Sequence, residues 1–167
     1  MAGDEARDYQ TAEGHALETT DALPQIAFIG GERQDRYHRY DWNFSVQRVV
    51  ATGVHNTLRP TERLTPKERA RVRGLLRRFD LVRLARRRLL TLSYGERRRV
   101  LIARALAGTP ALVLLDEVHN GLDSVTRRLL DDELGRLARR GVTRVLAAHR
   151  MDDVPARFSR ALVLEAG

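Results

Sequence analysis

Residues 92–123 read LSYGERRRVLIARALAGTPALVLLDEVHNGLD, and the fold follows from how this stretch divides. Ser93 followed three residues later by Glu96 is a capping box, in which a hydroxyl and a carboxylate satisfy free N–H groups at a helix start. The helix is expected from about Glu96 to Ala107, with Gly108 and Pro110 as its stop. Ala111–Leu115 (ALVLL) is a continuous apolar run, the pattern of a parallel strand covered on both faces. Asp116 and Glu117 stand at its carboxyl end, where loops and ligands gather in parallel sheets. Asp123 and Ser124 then offer a cap for the next helix.

Downstream, that helix is expected to turn Val125, Leu129, Leu130, Leu134 and Leu137 inward and to end at Gly141. Val142–Ala148 (VTRVLAA) reads as a further strand and Ala161–Leu164 (ALVL) as another. Upstream, Gln25–Gly31 (QIAFIGG) reads as a buried strand running into a loop, and Phe44–Gly53 has helical spacing that stops at a glycine. Thr65-Pro66-Lys67-Glu68 is a second capping box with proline in the first turn. Val72, Leu75, Leu76 and Phe79 then form one apolar stripe, and arginines fill the other faces through Arg88. Strands alternating with helices at this spacing predict an α/β fold with a parallel sheet. Residues 1–24, acidic and threonine-rich, have no clear period and read as a poorly ordered remnant before the first long strand.

The 167 residues are one domain's worth, 43% hydrophobic and 31% charged, an ordinary globular balance. No apolar run is long enough to span a bilayer, and Met1–Tyr9 is acidic, unlike a secretion signal. The absence of cysteine excludes disulfides and cysteine-ligated zinc or iron–sulfur centres. Net charge is +8, carried almost wholly by arginine, with Lys67 the single lysine. Without interleaved aromatics the composition favours a solvated arginine-rich surface, and a nucleic-acid partner stands as the alternative.

Two motifs carry chemistry. Adjacent carboxylates at the end of a buried strand can divide the work of nucleotide hydrolysis, one holding Mg²⁺ through water and the other orienting the attacking water. Read alone, Asp116-Glu117 is more often a strand ending in solvated acids or a helix cap. The start of the helix after Ser93 offers free N–H groups and a positive dipole end to a phosphate. Gly95 lets the backbone approach closely, although Ser93 serves simple capping just as well.

Taken in order, LSYGE, RRRVLIARALA, LVLLDE, NGLD and Ala148-His149 resemble the ABC-type ATPases, over residues 25 to 167. The resemblance implies a P-loop NTPase-like (RecA-like) sheet with an inserted helical subdomain. Residues 25–42 would be the Q-loop strand and loop, 43–108 the helical subdomain, and 109–167 the remaining α/β core. Leu92, Ser93, Tyr94, Gly95 and Glu96 would be the signature, which in the family meets nucleotide bound by a second domain. Asp116 would be the Walker B aspartate, Glu117 the catalytic base, Gly121, Leu122 and Asp123 the D-loop, and His149 the histidine beside the γ-phosphate. Gln34 is the Q-loop candidate, three residues beyond the family's strict position, which Gly31 occupies. Tyr94 and Glu96 replace the commoner glycine and glutamine, and Val118-His119 stands where proline-threonine is frequent. These departures, with Arg98–Leu106 (RRVLIARAL) and residues 149–155 (HRMDDVP), look nearest to the molybdate and photorepair-type members.

The family's G-x-x-x-x-G-K-[ST] loop is absent, since Lys67 lies inside a helix cap. The expectation is therefore an N-terminally truncated cassette that begins just past that loop. Implied cofactors are ATP and Mg²⁺; implied partners are another ABC domain, as homodimer, heterodimer or tandem, and a membrane permease subunit. The expected location is the cytoplasm or the inner face of the membrane. Two other readings stay open: a non-catalytic partner donating its signature in trans, and an arginine-rich nucleic-acid-binding protein.

Overall fold

The computed structural model describes residues 9–10, 16–17, 25–30, 37, 40–60, 63–150, 154 and 158–163. Two short strands, β1 (Tyr9–Gln10) and β2 (Ala16–Leu17), pair antiparallel within the segment where no period was legible. The main sheet has three parallel strands in the order β3 (Ile26–Ile29), β4 (Leu112–Asp116), β5 (Thr143–Ala147). Ile26 stands beside Leu112, and Leu112 beside Thr143, so β4 is central and its register runs to Asp116 opposite Ala147. Parallel neighbours need long crossovers. Helices α1 (Val46–Thr52), α2 (Pro66–Arg78) and α3 (Tyr94–Ala105) fill the first, and α4 (Ser124–Arg139) the second.

Both capping boxes form as read, at Thr65 with Glu68 and at Ser93 with Glu96. The second places the helix start at Tyr94, two residues before the expected boundary. α3 also ends two residues early, because its last turn tightens and Ala107 N–H donates to the Arg104 carbonyl at 3.1 Å.

The core joins helices to sheet. Val46, Val49 and Val50 of α1 meet Val72, Leu75 and Leu76 of α2 and Val100, Ile102 and Ala103 of α3, all in one buried cluster with Ala27, Ile29, Val113 and Leu115. Each valine, leucine or isoleucine among them contributes about 1.5–3 kcal/mol through burial. The strand expectation of two covered faces does not hold for β4 among the described residues. Val113 and Leu115 are buried, whereas Leu112 and Leu114 on the opposite face are half-buried.

Two further expectations are corrected. Val125 is 51% exposed. The inward stripe of α4 is Thr126, Leu130, Glu133, Leu134 and Leu137, and Val125, five residues before Leu130, falls well off that face. Ala161–Val163 carry no strand, and Leu162 and Val163 are exposed. An apolar run becomes a strand only where a neighbouring backbone pairs with it, and periodicity does not report the neighbour.

Three buried polar anchors fix the layers. Arg104 on α3 donates through Nε to Thr52 Oγ1 at 3.0 Å and through a terminal nitrogen to the Thr57 carbonyl at 2.6 Å. Arg98, six residues earlier on the same helix, donates to the Gly30 carbonyl at 3.1 Å. Glu133 of α4, nearly buried, meets Arg78 Nε of α2 at 2.8 Å.

Two glycines test this packing. A Cβ on Gly53 would stand 1.8 Å from the Arg104 carbonyl oxygen, while Gly141 has open space but a φ of +77°. Gly53→Ala is expected to cost about 3 kcal/mol or more by forcing α1 from α3. Gly141→Ala is expected to cost only about 1–2 kcal/mol of backbone strain. Urea unfolding midpoints separate the two; equal losses would contradict the close approach.

Candidate functional site

β4 delivers its two carboxylates differently. Asp116 ends the ladder, paired with Ala147, and is exposed. Glu117 leaves the strand with φ at +44°, a left-handed conformation costing about 1–3 kcal/mol in a non-glycine residue. The strain is held by local bonds. Glu117 N–H donates to the Ala147 carbonyl at 3.0 Å, and Asn120 N–H to the Glu117 carbonyl at 3.0 Å. The Asn120 side-chain amide donates to Glu117 Oε2 at 2.7 Å, and the His149 ring meets Oε1 through Nε2. The Glu117 carboxylate is thus gripped from both oxygens, at the edge of a shallow depression lined by residues 117–120 and 146–149.

Beneath this loop Val118 is fully buried, and His119, also buried, donates from Nε2 to Asp131 Oδ1 of α4 at 3.1 Å. The loop is therefore pinned to α4 from below while Glu117 faces outward. On the neighbouring strand, Gly30 lies against Asp116: a Cβ there would stand 3.5 Å from the Asp116 Cβ. Arg98 holds the carbonyl of this glycine, so α3 fixes the point where β3 ends.

The second group forms at the start of α3. Leu92 is buried and anchors the turn, Ser93 Oγ accepts from Glu96 N–H at 3.3 Å, and Glu96 Oε2 accepts from Ser93 N–H at 2.8 Å. Tyr94 is exposed. Gly95 lies against the loop of Gly121, Leu122 and Asp123: a Cβ on Gly95 would be 3.0 Å from Asp123 Oδ2, and one on Gly121 would be 3.8 Å from the Tyr94 hydroxyl. Asp123 caps α4, accepting from Thr126 N–H at 2.8 Å and from the Thr126 hydroxyl at 2.9 Å.

Both caps hold their carboxylates ionised. Glu96 titrates below its ordinary value, chiefly through the Ser93 N–H bond and also through the Ser93 hydroxyl and nearby Arg87 and Arg99. Asp123 is lowered by the Thr126 N–H first, then by the Thr126 hydroxyl, the Val125 N–H and Arg99. A helix N-terminus with its donors arranged in this way favours negative charge.

The residues singled out from sequence thus fall into two contacting sets. Glu117 and His149 meet at the strand ends beside Asp116, and Leu92–Glu96 meets Gly121–Asp123. Gln34 lies outside the described residues. Asn120 and Arg98 were missed. The first stands three residues after Glu117, a turn spacing that could have marked it; the second was one of three consecutive arginines with nothing to single it out.

The sequence model of the family described as "ABC transporter" matches residues 7–120. The chain is 29% identical to the ABC transporter ATP-binding protein ModF of Escherichia coli (strain K12), over 78% of this chain and 30% of that protein. It is 30% identical to the uncharacterized ABC transporter ATP-binding protein YlmA of Bacillus subtilis (strain 168), over 86% of this chain and 54% of that protein. The chain therefore spans about a third to a half of these relatives' length. Among solved structures, the dimeric post-hydrolysis state of the ATP-binding cassette MJ0796, bound to ADP and Pi, superposes with a TM-score of 0.61 at 25% identity. That match covers 81% of this chain and 59% of the other.

The capping carboxylates make stability depend on acid. Groups lowered in the folded state stabilise it above their unfolded values and lose that contribution as pH falls through the lowered ones. Glu96→Gln is expected to reduce stability by about 0.5–1 kcal/mol at neutral pH. The gap to the parent should close as pH falls through the acid range, read from urea midpoints taken along a pH series. A gap that stays constant with pH would contradict the ionised cap.

Proposed function

The chain belongs to the ABC transporter family, and on that premise we propose that it forms the signature- and Walker B-bearing part of an ATP-hydrolysing cassette. The observation that carries the proposal is the grip on Glu117, a strained carboxylate bonded by Asn120 and His149 directly after Asp116. A proton acceptor works best when oriented before reaction, and the fixed turn supplies that orientation.

The residues present fit Mg²⁺ and a triphosphate in part. Asp116 and Glu117 offer carboxylate oxygens, the donors a hard cation takes. The phosphate cradle does not fit: these 167 residues hold no G-x-x-x-x-G-K-[ST], so that element must come from outside them. When bound, Mg²⁺ and the nucleotide supply the reactive phosphoryl group and offset its charge. Asp116 would hold the cation through water, Glu117 would take the proton of the attacking water, and His149, whose ring N–H steadies the Glu117 carboxylate here, would turn that N–H to a phosphate oxygen when nucleotide is bound. Gln34 would complete the water's surroundings.

Residues 43–108 would act as the helical subdomain and 109–167 as the sheet core. The exposed turn Ser93–Glu96, with Gly121–Asp123 behind it, would face nucleotide held by a second ABC domain arranged head to tail. A permease subunit would be the further partner if the assembly transports. Among the described residues no helix is long and apolar enough to cross a membrane, so a membrane-spanning part would be a separate element.

The test is phosphate release by the chain alone and mixed with a polypeptide carrying an ABC P-loop strand and helix. The chain alone should be inactive and the mixture active with Mg²⁺. Glu117→Gln should lower the mixture's rate about 100-fold or more. Release that survives Glu117→Gln but is lost in Gly95→Arg would overturn the base assignment and leave only the signature-donor role.

A further inference from the structure

The net charge of +8 is not spread over the molecule. Residues 63–88 contain eleven basic and two acidic side chains, a net +9, so the remainder of the chain stands at −1. An arginine bias of composition alone would not concentrate in one segment. The structure shows how the charge is displayed. α2 buries Val72, Leu75 and Leu76, with Phe79 at its end, and leaves Arg69, Arg73 and Arg77 exposed. At i, i+4 and i+8 these lie in one line, with steps of about 6 Å along the helix. Arg83 and Arg86, also exposed, follow in the chain.

Little inside the molecule neutralises this face. Glu68 is committed to the Thr65 cap and to His55 at 3.5 Å, and Asp80 reaches Arg99 at 3.8 Å. Arg69 folds back onto the Leu64 carbonyl, and Arg78 turns away to Glu133. Among the described residues Arg73, Arg77, Arg83 and Arg86 make no ion pair. Like charges one helical turn apart repel, so the parent fold gains nothing from the stripe. A single small anion would satisfy only one step of it, whereas a linear polyanion satisfies the line.

We propose that the outer face of α2 docks the phosphodiester backbone of double-stranded DNA. Arginine forks suit phosphate oxygens, and a helix ridge fits between the rims of a major groove. Residues 63–88 contain no Asn, Gln, Tyr or Trp, and Phe79 is buried. Base-edge readout by amides and stacking on single-stranded bases both lack their side chains here. A bilayer surface is disfavoured because a surface helix lowers its apolar face among the headgroups, and that face of α2 is packed in the core. This site is separate from Asp116, Glu117 and His149 and stands whether or not the chain takes part in ATP hydrolysis.

The experiment is fluorescence anisotropy of a short mixed-sequence DNA duplex with the full chain over a salt series. Three arginine–phosphate contacts, from Arg69, Arg73 and Arg77, should give a slope of log K against log salt of about −3, at about −0.9 per phosphate. Arg73→Gln with Arg77→Gln should reduce that slope by about 2 and weaken low-salt binding about tenfold or more. Arg73→Lys with Arg77→Lys keeps the charge and should keep the slope. The control pair Arg128→Gln with Arg139→Gln, exposed on α4, removes the same charge elsewhere and should leave binding near the parent's. Circular dichroism melts confirm that each variant is folded. Equal loss in the control pair, absence of duplex binding at low salt, tighter binding of poly(dT) than of duplex, or capture by phosphatidylserine vesicles in place of DNA would each overturn the proposal.

Discussion

Two buried guanidinium groups on one helix hold this structure together. Arg98 and Arg104 of α3 are 5% and 2% exposed, and a buried cation costs several kcal/mol unless oxygens surround it. Their acceptors come from different layers: the carbonyl of Gly30 where β3 ends, and the hydroxyl of Thr52 with the carbonyl of Thr57 at the end of α1. Helix α3 is thereby fixed at once to the sheet and to the helical layer. Its N-terminus, capped by Ser93 and Glu96, is consequently held in place relative to the strand ends that carry Asp116 and Glu117. The tight passage of Gly53 beneath the Arg104 carbonyl belongs to the same joint, since only a residue without Cβ lets the two helices close enough for these bonds.

Much of this was legible in the sequence, for reasons that differ between elements. Caps are local chemistry: Thr65 with Glu68 and Ser93 with Glu96 announce themselves within four residues, and both form. The strand at Leu112–Asp116 was legible because its apolar run is bounded by Pro110 and by two acids. What failed was whatever depended on a distant neighbour. Val125 looked apolar and therefore inward, but the phase of α4 is set by where Leu130, Leu134 and Leu137 meet the core. Ala161–Val163 had a strand's composition and, among the described residues, no strand beside it. Arg98 was invisible because its role rests on a carbonyl 68 positions away.

The candidate site shows the same division. Asp116 and Glu117 were found from their place at a strand end, and His149 from its place after the next strand. The left-handed turn that aims Glu117 was not readable, since glutamate gives no sign of a positive φ. Its cause is the loop itself: Val118 and His119 are drawn into the core, and His119 is tied to Asp131, so the chain must turn sharply after Asp116. Strain at one residue is tolerated because its neighbours are buried. The result is a carboxylate whose direction is set by the fold itself, through Asn120 and His149.

The arginines divide by the same logic of burial. Arg98 and Arg104 have given up water for carbonyl and hydroxyl oxygens and act as struts. Arg78 gives up part of its exposure to pair with Glu133 and ties α2 to α4. Arg73 and Arg77, on the same helix as Arg78, are exposed, and Asp80, three residues after Arg77, reaches Arg99 instead. α2 already secures its place through Val72, Leu75, Leu76 and the pair of half-buried Arg78 with buried Glu133. Its outer charge therefore adds repulsion to a helix that is stable without it, and a feature that costs stability on a surface otherwise near neutrality is best understood through something that binds there.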